Sequence, residues 1–192
     1  NSVPGASLNF DGINDVVNGP ANLIPVDNSP YTVSLWAKYY QPTVGELVNI
    51  VSQGRNFYIG QNANGNIVVG DSNITSTPFP QDFEWHHYAV VRTIDNFFVY
   101  LDGNLIYTKG SVNPSPTATP PGDPNGYFHI GSKWDGASEF FRGDVDELRI
   151  YNRALNVDEI INNMYCEVHQ PDSSLIGNYH FNQGIANENN NS

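Results

Sequence analysis

Cysteine and positive charge are what this chain most lacks. Its 192 residues include one cysteine, Cys166, and eight lysines and arginines against twenty acidic residues, a formal net charge of -12 at pH 7. A single cysteine excludes an intrachain disulfide, so the chain is not a disulfide-stapled scaffold. Cys166 is expected either to stay buried as a thiol or to have a partner outside the chain. So few basic residues argue against a nucleic-acid surface, which needs clustered Lys and Arg to neutralise phosphates. No apolar run approaches the roughly 20 residues of a membrane helix, so membrane insertion is not expected. The N-terminus has no basic-then-apolar signal pattern, and the chain reads as a mature domain whose export signal lies elsewhere. The acidic surplus has two readings, a soluble surface or a site for divalent cations.

Turn-separated strands are what the sequence has in abundance. Runs of alternating or aromatic-rich residues recur between Gly, Pro, Asn and Asp, the pattern of an antiparallel sandwich. Asp102-Gly103, between Phe97–Leu101 and Leu105–Tyr107, predicts a hairpin, because a type I′ turn needs positive φ at both central residues. Asn64-Gly65, between Phe57–Ile59 and Ile67–Val69, predicts a second. Residues 113–125 carry five prolines and no period, which reads as a long surface loop. Helix is expected only over residues 156–164, where Asn156 is placed to cap, Glu159 to close a capping box, and Leu155 and Ile160 to form a hydrophobic staple. Just before it, strict alternation puts Leu148 and Ile150 on one face with Asp146, and Val145, Glu147, Arg149 and Tyr151 on the other.

The junction Phe141-Arg142-Gly143-Asp144-Val145-Asp146-Glu147-Leu148-Arg149-Ile150-Tyr151-Asn152-Arg153-Ala154-Leu155, continuing to Glu159-Ile160, resembles the concanavalin A-like laminin G-like and pentraxin-like domains. In these, F-x-G-x-[IV]-D-E-[VL]-R-[IL]-[YW]-x-R-A-L-x-x-x-E-I follows the last long strand. Leu8–Asp15, Tyr31–Lys38, Trp85–Val91 and Val99–Ile106 fit the same family in order, and the resemblance spans roughly residues 5 to 165. It implies an all-β antiparallel sandwich of jelly-roll type with one short helix near the C-terminus. Residues 1–192 are expected to form one domain, with 187–192 frayed. The segment Leu175–Gly184 is similar to an element that stands beside laminin G-like modules in bacterial multidomain proteins. It either completes this sandwich, the reading adopted, or begins another module.

The resemblance also nominates sites. A structural calcium ion joining the first strand to a late one would use Asp11, Gly12 and Asp146; the alternative is that Asp11 and Asp15 make Asx turns and Asp146 accepts backbone hydrogen bonds. A pentraxin-like ligand position would use Asp135 and Asn56, but Lys133 stands where the pattern has an acid and would repel a cation. Without calcium, Trp134 and Arg55 offer an aromatic face and a guanidinium to a sugar or peptide. Trp36, Phe98, Tyr100, Tyr127 and His129 form either a saccharide platform or covered packing. Laminarinase-type hydrolases place acids as E-x-D-x-E or E-x-D-x-x-E on one strand, and Asp144-Val145-Asp146-Glu147 does not match. His86-His87 is not a dyad, since adjacent strand residues point apart.

The expected function is therefore non-catalytic recognition or adhesion. The module would bind a glycan or cell-surface partner within a larger, secreted or surface-attached bacterial protein, with calcium as a structural ion. The alternatives are a spacer packed beside a catalytic or secretion domain and, further off, a glycoside hydrolase.

Overall fold

The computed structural model describes residues 6–27, 29–40, 45–54, 57–70, 73–110, 126–166 and 173–181. In chain order these form β1 (Leu8–Asp11), β2 (Val17–Ala21), β3 (Tyr31–Tyr39), β4 (Val48–Gln53), β5 (Phe57–Gln61), β6 (Asn66–Val69), β7 (Asn73–Pro78), β8 (Trp85–Arg92), β9 (Asn96–Leu101), β10 (Asn104–Gly110), β11 (Tyr127–Ile130), β12 (Arg142–Tyr151), α1 (Val157–Met164) and β13 (Leu175–Tyr179). A seven-stranded sheet runs β1-β12-β3-β8-β9-β10, with β13 also paired to β12, and a six-stranded sheet runs β2-β11-β4-β5-β6-β7. Pairing is antiparallel throughout, as expected of the sandwich. β1 pairs with residues 142–145 of β12 and β13 with residues 148–151, so the two short strands share one edge of the long one.

Alternation builds the core. Val33, Leu35, Tyr88, Val90 and Val99 point inward from the larger sheet onto Ile50, Phe57, Ile59, Ile67, Phe128 and Ile130 of the smaller, all at 2 % exposure or less. Each such side chain contributes about 1.5–3 kcal/mol by leaving water. Edge-to-face aromatic pairs, Tyr31 with Phe57 and Tyr39 with Phe79, knit the layers.

The strict alternation read into β12 needs correction. Asp146 pairs with Trp36 and Arg149 with Ser34, so Glu147 and Leu148 together oppose one residue of β3, and Glu147 takes φ +50°. This β-bulge resets the faces. Val145 shares the core with Leu148 and Ile150, while Asp146 lies with Arg149 and Tyr151 on the outer face of the larger sheet.

That outer face is closed by α1. Asn156 Oδ1 accepts from the Glu159 amide at 2.9 Å and Glu159 Oε2 accepts from the Asn156 amide at 2.8 Å, the predicted capping box. Leu155 and Ile160 pack on Ala89, Val91 and Tyr151, flanked by Phe98 and Tyr100. Trp36 Nε1 donates to the Met164 carbonyl at 3.1 Å. Trp36, Phe98 and Tyr100 are thus covered packing rather than a platform. The turn Asp102-Gly103 has φ +50° and +75°, the type I′ values predicted. The Asn64-Gly65 hairpin exists with a longer turn: Asn62 to Gly65 connect the strands, and Asn62 Oδ1 accepts from the amides of Asn64 and Asn66.

Candidate functional site

Among the described residues, nothing covers the outer face of the six-stranded sheet where its central strands run. Alternation turns Tyr58 outward between the buried Phe57 and Ile59. On β4 a register shift between Asn49 and Val51 lets Ile50 and Val51 both face the core while Asn49 and Ser52 turn outward. Asn49, Ser52 and Tyr58, with Gln61, Asn62 and Val68, floor a groove of about 390 Å³. Its wall is Lys133, Trp134 and Glu139, from the connection between β11 and β12.

This connection is held in place by backbone geometry. Gly131 has φ +88°, and a Cβ there would lie 2.2 Å from the Phe10 ring, so only glycine fits. Its amide donates to the Ile50 carbonyl at 2.7 Å, and its carbonyl accepts from the Phe141 amide at 2.8 Å, which closes the base of the loop. Ser52 Oγ donates to the Ser132 carbonyl at 2.9 Å, and the Asn49 amide donates to the Glu139 carbonyl at 3.0 Å. Glu139, at φ +52°, accepts from Asn49 Nδ2 and from Lys133 Nζ, each at 2.5 Å. The Lys133 ammonium is held above its usual range by that hydrogen bond, which outweighs the opposing effect of burial. Its charge is thereby spent inside the loop. Lys133 also stands 6.0 Å from the centre of the Trp134 ring.

Trp134, nominated from the sequence for a sugar or peptide, lines the groove. Asp135, the next residue, faces the other side of the loop and shapes it. Its Oδ1 accepts from the Ala137 amide at 2.9 Å and its Oδ2 from the Ser138 hydroxyl at 2.9 Å. Burial pushes the Asp135 carboxyl up, but those hydrogen bonds and the nearby Lys133 charge outweigh it and hold it below the usual range. Arg55 and Asn56 lie outside the described residues.

The proposed calcium ligands are not brought together. Asp11 pairs with Arg142. Asp146 is four residues further along β12, about 13 Å at 3.3–3.4 Å per residue. One Ca²⁺ holds oxygens at 2.3–2.6 Å, so two coordinating oxygens lie within about 5 Å of each other, a gap that two short aspartate side chains standing roughly perpendicular to the sheet do not close. The physical reason is register: β1 meets only the first half of β12. Asp11 instead serves its own corner, accepting from the Ile13 amide at 2.7 Å while its amide donates to Asp15 Oδ2 at 2.8 Å, with Gly12 at φ +80°. Asp146 is 1 % exposed on the outer face of the larger sheet; its Oδ1 accepts from the Glu147 amide at 2.8 Å and its Oδ2 has no hydrogen-bond partner. Burial pushes this carboxyl up to about 7. Among the described residues no cluster of three or more His, Cys, Asp or Glu has a metal-holding arrangement.

Of Asp144 and Asp146, the acids that share an outer face, Asp146 is buried and Asp144 is half-buried. Asp144 accepts from Asn9 Nδ2 at 2.6 Å and from the Tyr40 hydroxyl, which is itself pushed up to about 12 by that bond. The histidine pair divides: His87 is buried on the outer face of the larger sheet beside Trp36, while His86 is held between Asp102 at 2.7 Å and Asp82 at 3.1 Å. Cys166 is exposed rather than buried.

Sequence reasoning missed Asn49, Ser52, Tyr58 and Glu139. The alternation of Tyr58 with Phe57 and Ile59 was a usable signal; the register shift that turns out Asn49 and Ser52 had none.

The concanavalin A-like lectin/glucanases superfamily, in its laminin G-like form, matches residues 11–161. Comparison with curated protein sequences gives no match. Among solved structures, domain 4 of AbnA, a GH43 extracellular arabinanase from Geobacillus stearothermophilus in complex with arabinotriose, has a TM-score of 0.62 at 24% identity; the match covers 82% of this chain and 75% of that one. A Bacteroides ovatus protein provisionally described as carbohydrate-binding superposes with a TM-score of 0.69 at 16% identity over 91% of this chain, which spans 50% of that protein. A heptameric pentraxin of Limulus polyphemus has a TM-score of 0.58 at 18% identity, covering 88% and 85% of the two chains. At these identities the structures establish a common fold, and the match over residues 11–161 establishes more: the chain belongs to the concanavalin A-like lectin/glucanases superfamily.

Proposed function

We propose that this domain is a non-catalytic glycan-binding module of an exported protein, and that it binds sugar in the groove between Tyr58 and Trp134. One observation carries the reading: of the two outer sheet faces, α1 packs across the middle of one, and the other, among the described residues, holds an open groove with aromatic rings beside amide, hydroxyl and carboxylate groups. Aromatic faces stack on the C–H faces of sugars while polar groups meet the hydroxyls. Among the described residues, Glu139 is the one carboxylate lining the groove. Retaining hydrolysis uses two carboxyls about 5–5.5 Å apart, and Glu139 is occupied by Lys133 and Asn49. This arrangement supports binding without bond cleavage. The likeness to an arabinanase domain that holds arabinotriose supports the ligand class, and that enzyme's extracellular setting supports export.

The test is an array of plant, microbial and animal glycans probed with the wild-type domain and with Trp134→Ala. Binding to a defined glycan set that is lost in the variant, with an unchanged melting temperature, is the expected result. No binding above background to any glycan would leave the domain as a structural spacer.

A further inference from the structure

The Trp134 groove has a neighbour on the same sheet face. Across the 131–140 loop, Asn18, Tyr127, His129, Asp135 and Gly136 line a second groove of about 480 Å³. The register joins the two. Asn18 pairs with His129, His129 with Ser52, and Ser52 with Tyr58, so these four side chains form one row across β2, β11, β4 and β5. Three strand intervals of about 4.8 Å make the row about 14 Å long, more than a single sugar ring covers. His129 and Ser52, at its middle, are buried under the loop, which Ser52 anchors through the Ser132 carbonyl and against which His129 lies beside Gly136. The ridge between the grooves is thin. Trp134 lines one side and Asp135, the next residue, lines the other.

We infer that the two grooves are subsites of one site for a linear, neutral oligosaccharide that crosses the Trp134-Asp135 ridge, an inference that rests on the glycan-binding reading above. The second groove has what a sugar residue needs. Tyr127 presents a half-buried ring, and Asn18 is exposed with its Oδ1 2.7 Å from His129 Nδ1. Asp135 carries hydrogen bonds from Ala137 and Ser138, and a carboxylate has about four acceptor positions, so capacity remains for sugar hydroxyls. Its charge excludes an acidic sugar. Among the described residues the cation lining the groove, Lys133, is already 2.5 Å from Glu139, and the chain as a whole carries -12, which disfavours a uronic or sialic acid.

The experiment is calorimetric titration with neutral arabino-, xylo-, gluco- and manno-oligosaccharide ladders from disaccharide to hexasaccharide, and with an oligogalacturonide ladder. It uses the wild-type domain, Trp134→Ala and Tyr127→Ala, each checked for an unchanged melting temperature. The expected result is affinity that rises with length in a neutral ladder. Tyr127→Ala should cost about tenfold for the hexasaccharide and less than about twofold for the disaccharide, whereas Trp134→Ala should cost about tenfold or more for both. Affinity already complete at the disaccharide, or hexasaccharide binding untouched by Tyr127→Ala, would overturn the two-subsite inference and leave glycan binding standing. Tightest binding of the oligogalacturonides would overturn the neutral-ligand part. Failure of every ladder would remove the glycan-binding reading and this inference with it.

Discussion

The two sheets turn matching apolar faces inward and put their outer faces to opposite uses. On the larger sheet, a capped helix meets Trp36, bonded to the Met164 carbonyl, and Arg149, bonded to the carbonyls of Asn163 and Cys166, while His87 and Asp146 are buried on the same face. On the smaller, Asn49, Ser52, Tyr58 and Trp134 surround an open groove. Each face carries a tryptophan and several polar groups. What differs among the described residues is whether a later part of the chain returns to cover them, and on the proposed function that decides whether the same residue types serve stability or binding.

The comparison breaks most severely at Gly131. Alanine there must fit a Cβ 2.2 Å from the Phe10 ring at φ +88°, so Gly131→Ala should cost about 3 kcal/mol or more and remove binding as well, read by urea unfolding and titration. The two tryptophans should separate the roles. Trp36→Ala should cost about 2–3 kcal/mol of stability and leave glycan binding within twofold, whereas Trp134→Ala should change stability by less than about 0.5 kcal/mol and weaken binding about tenfold or more. Removing the cap of the covering helix is milder: Asn156→Ala should cost about 1 kcal/mol in the same unfolding assay.

Acid and base probe the covered face through two opposed groups. Burial, with the Arg149 charge, holds His87 down to about 3, so the native state stays unprotonated while the unfolded chain binds a proton. Stability from this source falls as pH drops from about 6.5 towards 3. Asp146 is pushed up to about 7 by burial, with the Glu147 carboxylate adding to it against the Glu147 amide and the charges of His180 and Arg149. The native state then keeps a proton that the unfolded chain has released, and stability falls as pH rises from about 4 to 7. His86 is raised by Asp102 and Asp82 against its burial and contributes with the same sign as Asp146 near neutrality. Asp146→Asn removes only the Asp146 slope. Its stability relative to wild type should therefore rise between pH 4 and pH 7, measured by urea midpoints. The smallest expected effect is that of Asp11→Ala, which should leave any melting shift produced by calcium, relative to EDTA, unchanged, because Asp11 and Asp146 are too far apart to share an ion.

What could be read from sequence was local. The Asp102-Gly103 turn and the Asn156–Glu159 capping box each depend on a few adjacent residues, and both took the predicted geometry. The sandwich followed from repeated alternation and from motif order. The faces of β12 were not legible, because the bulge sits at a glutamate with φ +50° and no glycine marks it. Nor was the separation of Asp11 from Asp146, which is set by the register of two strands that meet only in the fold. Trp134 could be singled out as an aromatic in a turn-rich loop. Its partners Asn49, Ser52 and Tyr58 come from β4 and β5, more than 70 residues earlier, and only sheet pairing puts them beside it.

Hydrogen exchange with and without a saturating oligosaccharide tests the division between the faces most directly. The account predicts added protection in residues 49–62 and 131–139 and none in the Val157–Met164 helix or the Asn104–Gly110 strand. Protection centred on that helix, with the 131–139 loop unaffected, would contradict it.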